Sequence, residues 1–398
     1  MTKRRETEME DHLDEIVIVG AGTAGVNVAS ALRQLGFEGQ VVILGAESVT
    51  PYQRPPLSKT FLAKDQPPAA TPLKPEAFFS KSNITLEIGQ KVVAIDRAAK
   101  TVQTKTGDRY PYDALILATG SSARRLRCPG ANLSNVCYLR NLSDAGQLHK
   151  ALRSAKSVAI LGGGVIGLEV ASAAVAQEKL VTVIEAAGRV MARVATPSAT
   201  NVITRQLEAA GVRFALNARL AHIDGVEGRA RACILENGEE VAADLIVVGI
   251  GAVPNQGLAV QAGLLCGNGI IVDEAMRSSD PDIYAIGDCA AAENLYLGGR
   301  IRIETIHNAM MQAQVAASSI CGVPAPDAAP PRFWSDLLGM KLQGLGGLMR
   351  YDRLVTSHGK NGVETEVHAF AGERLVATET INLPKRQSEL SKLIHLVG

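Results

Sequence analysis

The stretch "IVIVGAGTAGVNVA", Ile16 to Ala29, decides the fold. Four apolar residues suited to a buried strand run into Gly20-x-Gly22-x-x-Gly25. A helical stretch follows from Ala24 to Leu35, and a second apolar run covers Val41 to Leu44. This is a strand–helix–strand unit with glycines where a dinucleotide loop needs them. Gly20 permits the tight turn, Gly22 lets a pyrophosphate approach the backbone, and Gly25 lets helix and strand pack closely. Free N–H groups at the helix start then face the phosphates. The nearby carboxylate is Glu47, 27 positions after Gly20, expected to bond an adenosine ribose.

The layout returns in "ILGGGVIGLEV", Ile160 to Val170. Strand Val158 to Leu161 feeds Gly162, Gly164 and Gly167, with Ile166 inside the loop. A helix to about Gln177 and a strand from Val181 to Ile184 follow, and then Glu185. Glu185 lies 23 positions after Gly162, near the spacing of a ribose-binding acid. A carboxylate there accepts from a free 2′-hydroxyl and repels a 2′-phosphate, which favours NAD(H) over NADP(H).

Two more apolar strands ending in glycine turns, "YDALILATGSS" from Tyr112 and "ADLIVVGIGAVPN" from Ala243, bracket the second unit. The second nucleotide domain is therefore expected to be inserted into the first. The first resumes at "SSDPDIYAIGDCA", where Asp288 sits at a strand's carboxyl end, the side on which open α/β sheets bind ligands. After the proline-rich "GVPAPDAAPPRF", alternating runs such as "RLVATETI" predict an antiparallel sheet. The expected fold is α/β: two Rossmann-like domains and a C-terminal α+β domain. The expected boundaries are 15–121 with 250–328, 122–249, and 329–398, behind a loose arm at 1–14.

Composition narrows the function. The chain has 398 residues, is 46% hydrophobic and carries a net charge of +1, which supports neither nucleic-acid binding nor a polybasic membrane patch. No apolar run reaches the roughly 18 residues that span a bilayer. The mixed-charge start lacks the apolar core of a secretory signal, so a soluble, cytoplasmic protein is expected. Six cysteines occur, none in a C-x-x-C pair and none before Cys128.

These residues, with "PYQRPPLSK" (Pro51 to Lys59), resemble the FAD-dependent NADH reductases of small iron–sulfur carriers, which have a glutathione-reductase-like fold. The resemblance runs from about Glu15 to Leu396. It is tighter to the rubredoxin–NAD reductases of bacterial alkane hydroxylase systems, through "RFWSDLLGMKLQGLGGL", "ETIHNAMMQAQVAASSICG" and "LVATETINLPKRQ". It implies tightly bound, non-covalent FAD on the Gly20 loop with Ala24, Lys59, Val92, Arg140, Asp288 and Ile306. It also implies NADH on Gly162 to Gly167, Glu185, Arg193 and Gly251. Relatives commonly read "GDE" where this chain has "GAE" at Gly45 to Glu47, which leaves the first ribose contact open. Trp334, the only tryptophan, falls in the "FWSD" signature near the flavin edge. Lys59 is expected beside the flavin, and His307 is expected to be structural.

Disulfide reductases of this fold carry a dithiol on the segment that here reads Pro55, Pro56, Ser58, Lys59. Without a thiol there, electrons must leave from the flavin to an external carrier. NADH delivers a hydride, whereas an iron held by four thiolates takes one electron, so the resemblance implies a flavin converter between them. The expected carrier is rubredoxin, with a [2Fe–2S] ferredoxin of a dioxygenase or P450 system as the alternative. A redox-sensing scaffold is the reading from a different class. Rubredoxins are generally acidic, so "SARRLR" (Ser121 to Arg127), Arg300 and Arg302 are candidate docking residues.

Overall fold

The computed structural model describes residues 13–66, 69–348 and 351–394. Most of the predicted arm, residues 1–12, lies outside them. A five-stranded parallel sheet runs in the order Ile283–Ala285, Ala114–Leu117, Glu15–Val19, Gln40–Gly45, Ile84–Ile88. Its strands are continuous apolar runs because helices cover both faces, and Ile16, Ile18, Ile43 and Leu115 are wholly buried. Helix Thr23–Gln34 packs against helix Ile306–Ile320, so the chain returns to its first domain after residue 280.

The second parallel sheet is built between those passages. Its order is Val212–Leu216, Leu180–Glu185, Ser157–Leu161, Leu245–Val248, Val136–Tyr138. The chain crosses between the sheets twice, and the crossings, Ser121–Ala123 and Ala252–Pro254, pair as one antiparallel ribbon. The strand runs read from sequence therefore agree with the structure to within a residue or two.

The predicted antiparallel C-terminal sheet has five strands in the order Arg332–Leu337, Met340–Gly346, Arg374–Ile381, Thr365–Ala371, Arg353–His358. It is not a detached module. Leu337, Met340, Leu342 and Ile381 share one apolar cluster with Leu57 and Phe61 and with Leu168, Val170 and Ala171 of helix Val165–Val175. Each fully buried aliphatic side chain in such a cluster contributes about 1.5–3 kcal/mol. That shared core fixes the Lys59 segment against the second dinucleotide helix and the "FWSD" strand.

Candidate functional site

Each glycine loop is closed by backbone contacts that admit no side chain. Gly20 has φ +121°, and a Cβ on it would lie 2.2 Å from the Ala118 carbonyl oxygen. A Cβ on Gly25 would lie 1.9 Å from the Gly20 carbonyl oxygen. The second loop repeats this: Gly162 has φ +103°, and a Cβ on Gly167 would fall 2.0 Å from the Gly162 carbonyl oxygen. Gly22 and Gly164, the helix caps, instead have nothing within 4 Å of a built Cβ. Open space over two uncapped helix starts is what a pyrophosphate requires. Ile166 lines the second opening and is 43% exposed.

The acids sit where spacing put them, in different settings. Glu185 ends its strand and folds over the second loop, accepting from the Gly163 N–H (2.7 Å) and the Ala187 N–H (2.8 Å). Glu47 follows the first unit, but its two oxygens accept from the Tyr52 hydroxyl and from Arg54, both at 2.6 Å. Each carboxylate oxygen keeps a further lone pair for a ribose hydroxyl. The turn before Val92 reaches the same point, since the Gly89 N–H donates to the Glu47 carbonyl (2.9 Å), and Val92 itself is buried. Arg193 lies in the loop after Glu185, its guanidinium 3.5 Å from the Cβ position of Gly251 (φ +105°).

Ala24, Asp288 and the helix begun by Ile306 converge. A Cβ on Gly287 would lie 3.0 Å from the Ala24 Cβ and 3.9 Å from that of Ala309, so glycine before Asp288 allows the turn between two helices. Asp288 accepts from Arg140 (2.8 Å) and from the Ser121 hydroxyl (2.9 Å). Arg140 is placed by the helix it precedes: Asn141 and Asp144 form a capping box, and Asp144 also accepts from the Arg140 N–H (3.0 Å). Thr305 caps helix Ile306–Ile320, accepting from the Asn308 N–H (3.1 Å). His307 is half-buried, and burial together with nearby Arg332 lowers its pKa, which suits the expected structural role.

Lys59 sits between a short 3-10 turn, Pro55–Ser58, and helix Thr60–Ala63. Its ammonium lies 2.8 Å from Asp336 and 3.4 Å from Glu169. Glu169 is 4% exposed and also accepts from the Ser58 hydroxyl (2.5 Å) and the Ser335 hydroxyl (2.8 Å). Burial pushes its carboxyl above the usual range, while Lys59 and the two serines pull it back. Trp334 stands beside Ser335 on the same strand and is 40% exposed.

The comparisons with known proteins fit this geometry. The family described as pyridine nucleotide-disulphide oxidoreductase matches residues 14–313, and the reductase C-terminal family matches residues 332–396. The chain belongs to the pyridine nucleotide-disulphide oxidoreductases. The rubredoxin–NAD(+) reductase of Pseudomonas putida is 58% identical over 96% of this chain and 99% of its own length. That of Ectopseudomonas oleovorans is 57% identical over the same shares. Among solved structures, the covalent putidaredoxin reductase–putidaredoxin complex superposes with a TM-score of 0.91 at 35% identity. It covers 95% of this chain and 92% of that one.

In this oxidoreductase the segment at Pro55–Lys59 carries no thiol. Ser58 is buried there, and all six cysteines are free and lie elsewhere. Cys289, beside Asp288, is fully buried and donates to the Leu117 and Ile286 carbonyls, which is a packing role. Sequence reasoning missed Glu169, Ser58 and Ser335. One signal was available, a lone acid on the otherwise apolar "VIGLEVASAAV". One docking candidate is corrected: the Arg302 side chain is 8% exposed, pairs with Glu304 and donates to the Asp288 carbonyl (3.3 Å), so it braces the Asp288 turn. Arg300 is paired with Glu293, Arg125 lies over the Tyr138 ring at 4.0 Å and Arg124 donates to the Ala252 carbonyl (3.4 Å), whereas Arg127 is exposed.

Proposed function

We propose that this oxidoreductase takes a hydride from NADH and passes electrons singly through FAD to rubredoxin, feeding a membrane alkane hydroxylase from the cytoplasm. The observation that carries the reading is the thiol-free Lys59 segment packed against the second dinucleotide helix and the "FWSD" strand. Without a reactive thiol there, electrons have no route through the chain's own sulfur and leave the flavin for an external carrier, which the likeness to the rubredoxin–NAD(+) reductases makes rubredoxin.

The residues divide the work. FAD, held non-covalently, supplies two-electron acceptance and one-electron release. The first loop with Ala24, Glu47, Val92, Arg140, Asp288 and Ile306 would hold it, and the open Gly22 cap fits its pyrophosphate. Lys59 and the start of helix Ile306–Ile320 both favour negative charge, the helix by up to about 2 kcal/mol. Glu169 and Asp336 orient Lys59, and Trp334 shields the neighbouring edge. Gly162 to Gly167, Glu185, Arg193 and Gly251 would hold NADH. Pairing of Ser121–Ala123 with Ala252–Pro254 supports the proposed limits of the donor domain at 122–249. Free cysteines throughout the described chain favour the reducing cytoplasm, and no described helix is long and apolar enough to cross a membrane.

The test is spectroscopic. The FAD-loaded protein should bleach with NADH and not with NADPH. Cytochrome c reduction should then appear on adding rubredoxin. Reduction through a [2Fe–2S] ferredoxin alone would select the alternative carrier, which the likeness to putidaredoxin reductase keeps in view. No bleaching at all would sink both. Charge reversal at Arg127 that leaves a salt-sensitive turnover with rubredoxin unchanged would remove that position from the docking face.

A further inference from the structure

Thr196 closes the loop that follows Glu185. It caps helix Pro197–Ala209, its side chain accepting from the Ala199 N–H (3.3 Å) with Pro197 at the first helical position. The loop before it folds back on the second glycine turn: the Met191 N–H donates to the Gly163 carbonyl (2.9 Å). Arg189 braces it by donating to the Ala192 and Ala195 carbonyls at 3.0 and 2.8 Å. The same loop carries Arg193.

What grips its far end comes from another domain. Glu379, on strand Arg374–Ile381 of the C-terminal sheet, is wholly buried, and its two oxygens lie 3.0 and 3.1 Å from the Thr196 nitrogen. The Thr196 hydroxyl also donates to it. Burying a carboxylate is costly, and apolar packing would join two domains without that cost. Arg189 is the charged group that faces it. Val367 and Gly344 pair opposite Glu379, whereas Glu366 and His368 pair with Thr380 and Thr378 and so lie on the sheet's other face. Burial pushes the Glu379 carboxyl up to about 7, against the pull of the Thr196 bonds and Arg189.

We propose that Glu379 is a positioning residue for the nicotinamide dinucleotide: through Thr196 the C-terminal sheet sets the Arg193 loop and hence the affinity for the donor's ADP-ribose half. This rests on the reading of the second loop as the NADH site. An ionised Glu379 offers acceptors only, matching a Thr196 hydroxyl that already accepts from Ala199 and must donate. Protonation removes the negative charge from these bonds and turns one acceptor into a donor, which can meet the hydroxyl only with the bond reversed, so the grip on the cap weakens.

The probe is ADP-ribose, titrated calorimetrically into the FAD-loaded full chain between pH 6 and 8.5. Wild-type Kd should rise several-fold from pH 8 to pH 6. In Glu379→Gln, Kd at pH 8 should be about fivefold higher and nearly flat with pH, as expected for losing a charge-assisted bond. With NADH, the variant's KM should rise while kcat at saturation stays within twofold. Thr196→Val, which keeps the N–H and removes the hydroxyl, should move Kd the same way and serves if the first variant folds poorly. Variant Kd within twofold of wild type at pH 8, or an unchanged pH profile, overturns the inference alone. A wild type that binds no ADP-ribose at any pH overturns the donor-site reading and this inference with it.

Discussion

At the scale of single residues, Glu185 and Lys59 are held by opposite logic. Glu185 is fixed by two backbone N–H groups, Gly163 of the glycine loop and Ala187 of the turn that follows it, so its carboxylate is aimed before a ligand arrives. Glu185→Ala should lower kcat/KM for NADH by about ten- to a hundredfold and narrow the preference over NADPH, measured in steady state with both donors. Undiminished discrimination would put the ribose contact elsewhere. Lys59 is instead held across domains. Lys59→Met should leave Glu169 buried without a cation and cost about 2–3 kcal/mol in denaturant unfolding, and adding Glu169→Gln should recover part of that loss. Additive effects of the two changes would show that they do not interact. Glu185 was legible in the sequence because its spacing from Gly162 is set within one strand–helix–strand unit. Glu169 was not, because Ser58 and Ser335 lie 111 and 166 positions away and only the tertiary fold brings them together. Arg302 was misread for the same reason: a charge near the surface in sequence terms is spent on Glu304 and the Asp288 turn.

At the scale of elements, the two glycine-rich turns separate stability from binding. A methyl group on Gly167 would meet the Gly162 carbonyl at 2.0 Å, whereas one on Gly164 meets no protein atom within 4 Å. Gly167→Ala should therefore destabilise by about 1–3 kcal/mol or more, read from thermal unfolding. Gly164→Ala should unfold like wild type yet bind ADP-ribose more weakly, because the methyl group would fill the open space at the helix start where the proposed donor site places the pyrophosphate. Equal stabilities for the two variants would contradict the packing described. Strand and helix limits were readable because parallel strands covered on both faces become uninterrupted apolar runs. The C-terminal sheet was readable as alternation, but its shared core with helix Val165–Val175 was not, since periodicity shows which face is apolar and not what covers it.

For the whole molecule, the pH dependence of stability gathers on buried carboxyl groups. Glu379 titrates near 7 in the folded chain, above the ordinary carboxylate range, so the native state holds its proton more tightly than the unfolded chain does. Its contribution is complete at low pH, below the unfolded value, and is lost as pH rises through about 7, a change on the order of 3 kcal/mol. Glu169 is shifted in the same direction and adds to the slope. Glu379→Gln should thus gain stability relative to wild type between pH 5 and pH 8 in chemical denaturation. A difference that stays constant over that range would mean the carboxyl is not perturbed by burial.

Both ends of the donor domain leave through a single two-stranded ribbon, Ser121–Ala123 against Ala252–Pro254. The domain is therefore a cassette with adjacent terminals, and exchanging it for a counterpart that prefers NADPH should redirect the coenzyme while leaving the acceptor end untouched. The graft must keep one thread through the seam, a hydroxyl-bearing helix cap able to meet Glu379. Lineages trading electron donors on this scaffold would be expected to exchange that pair together.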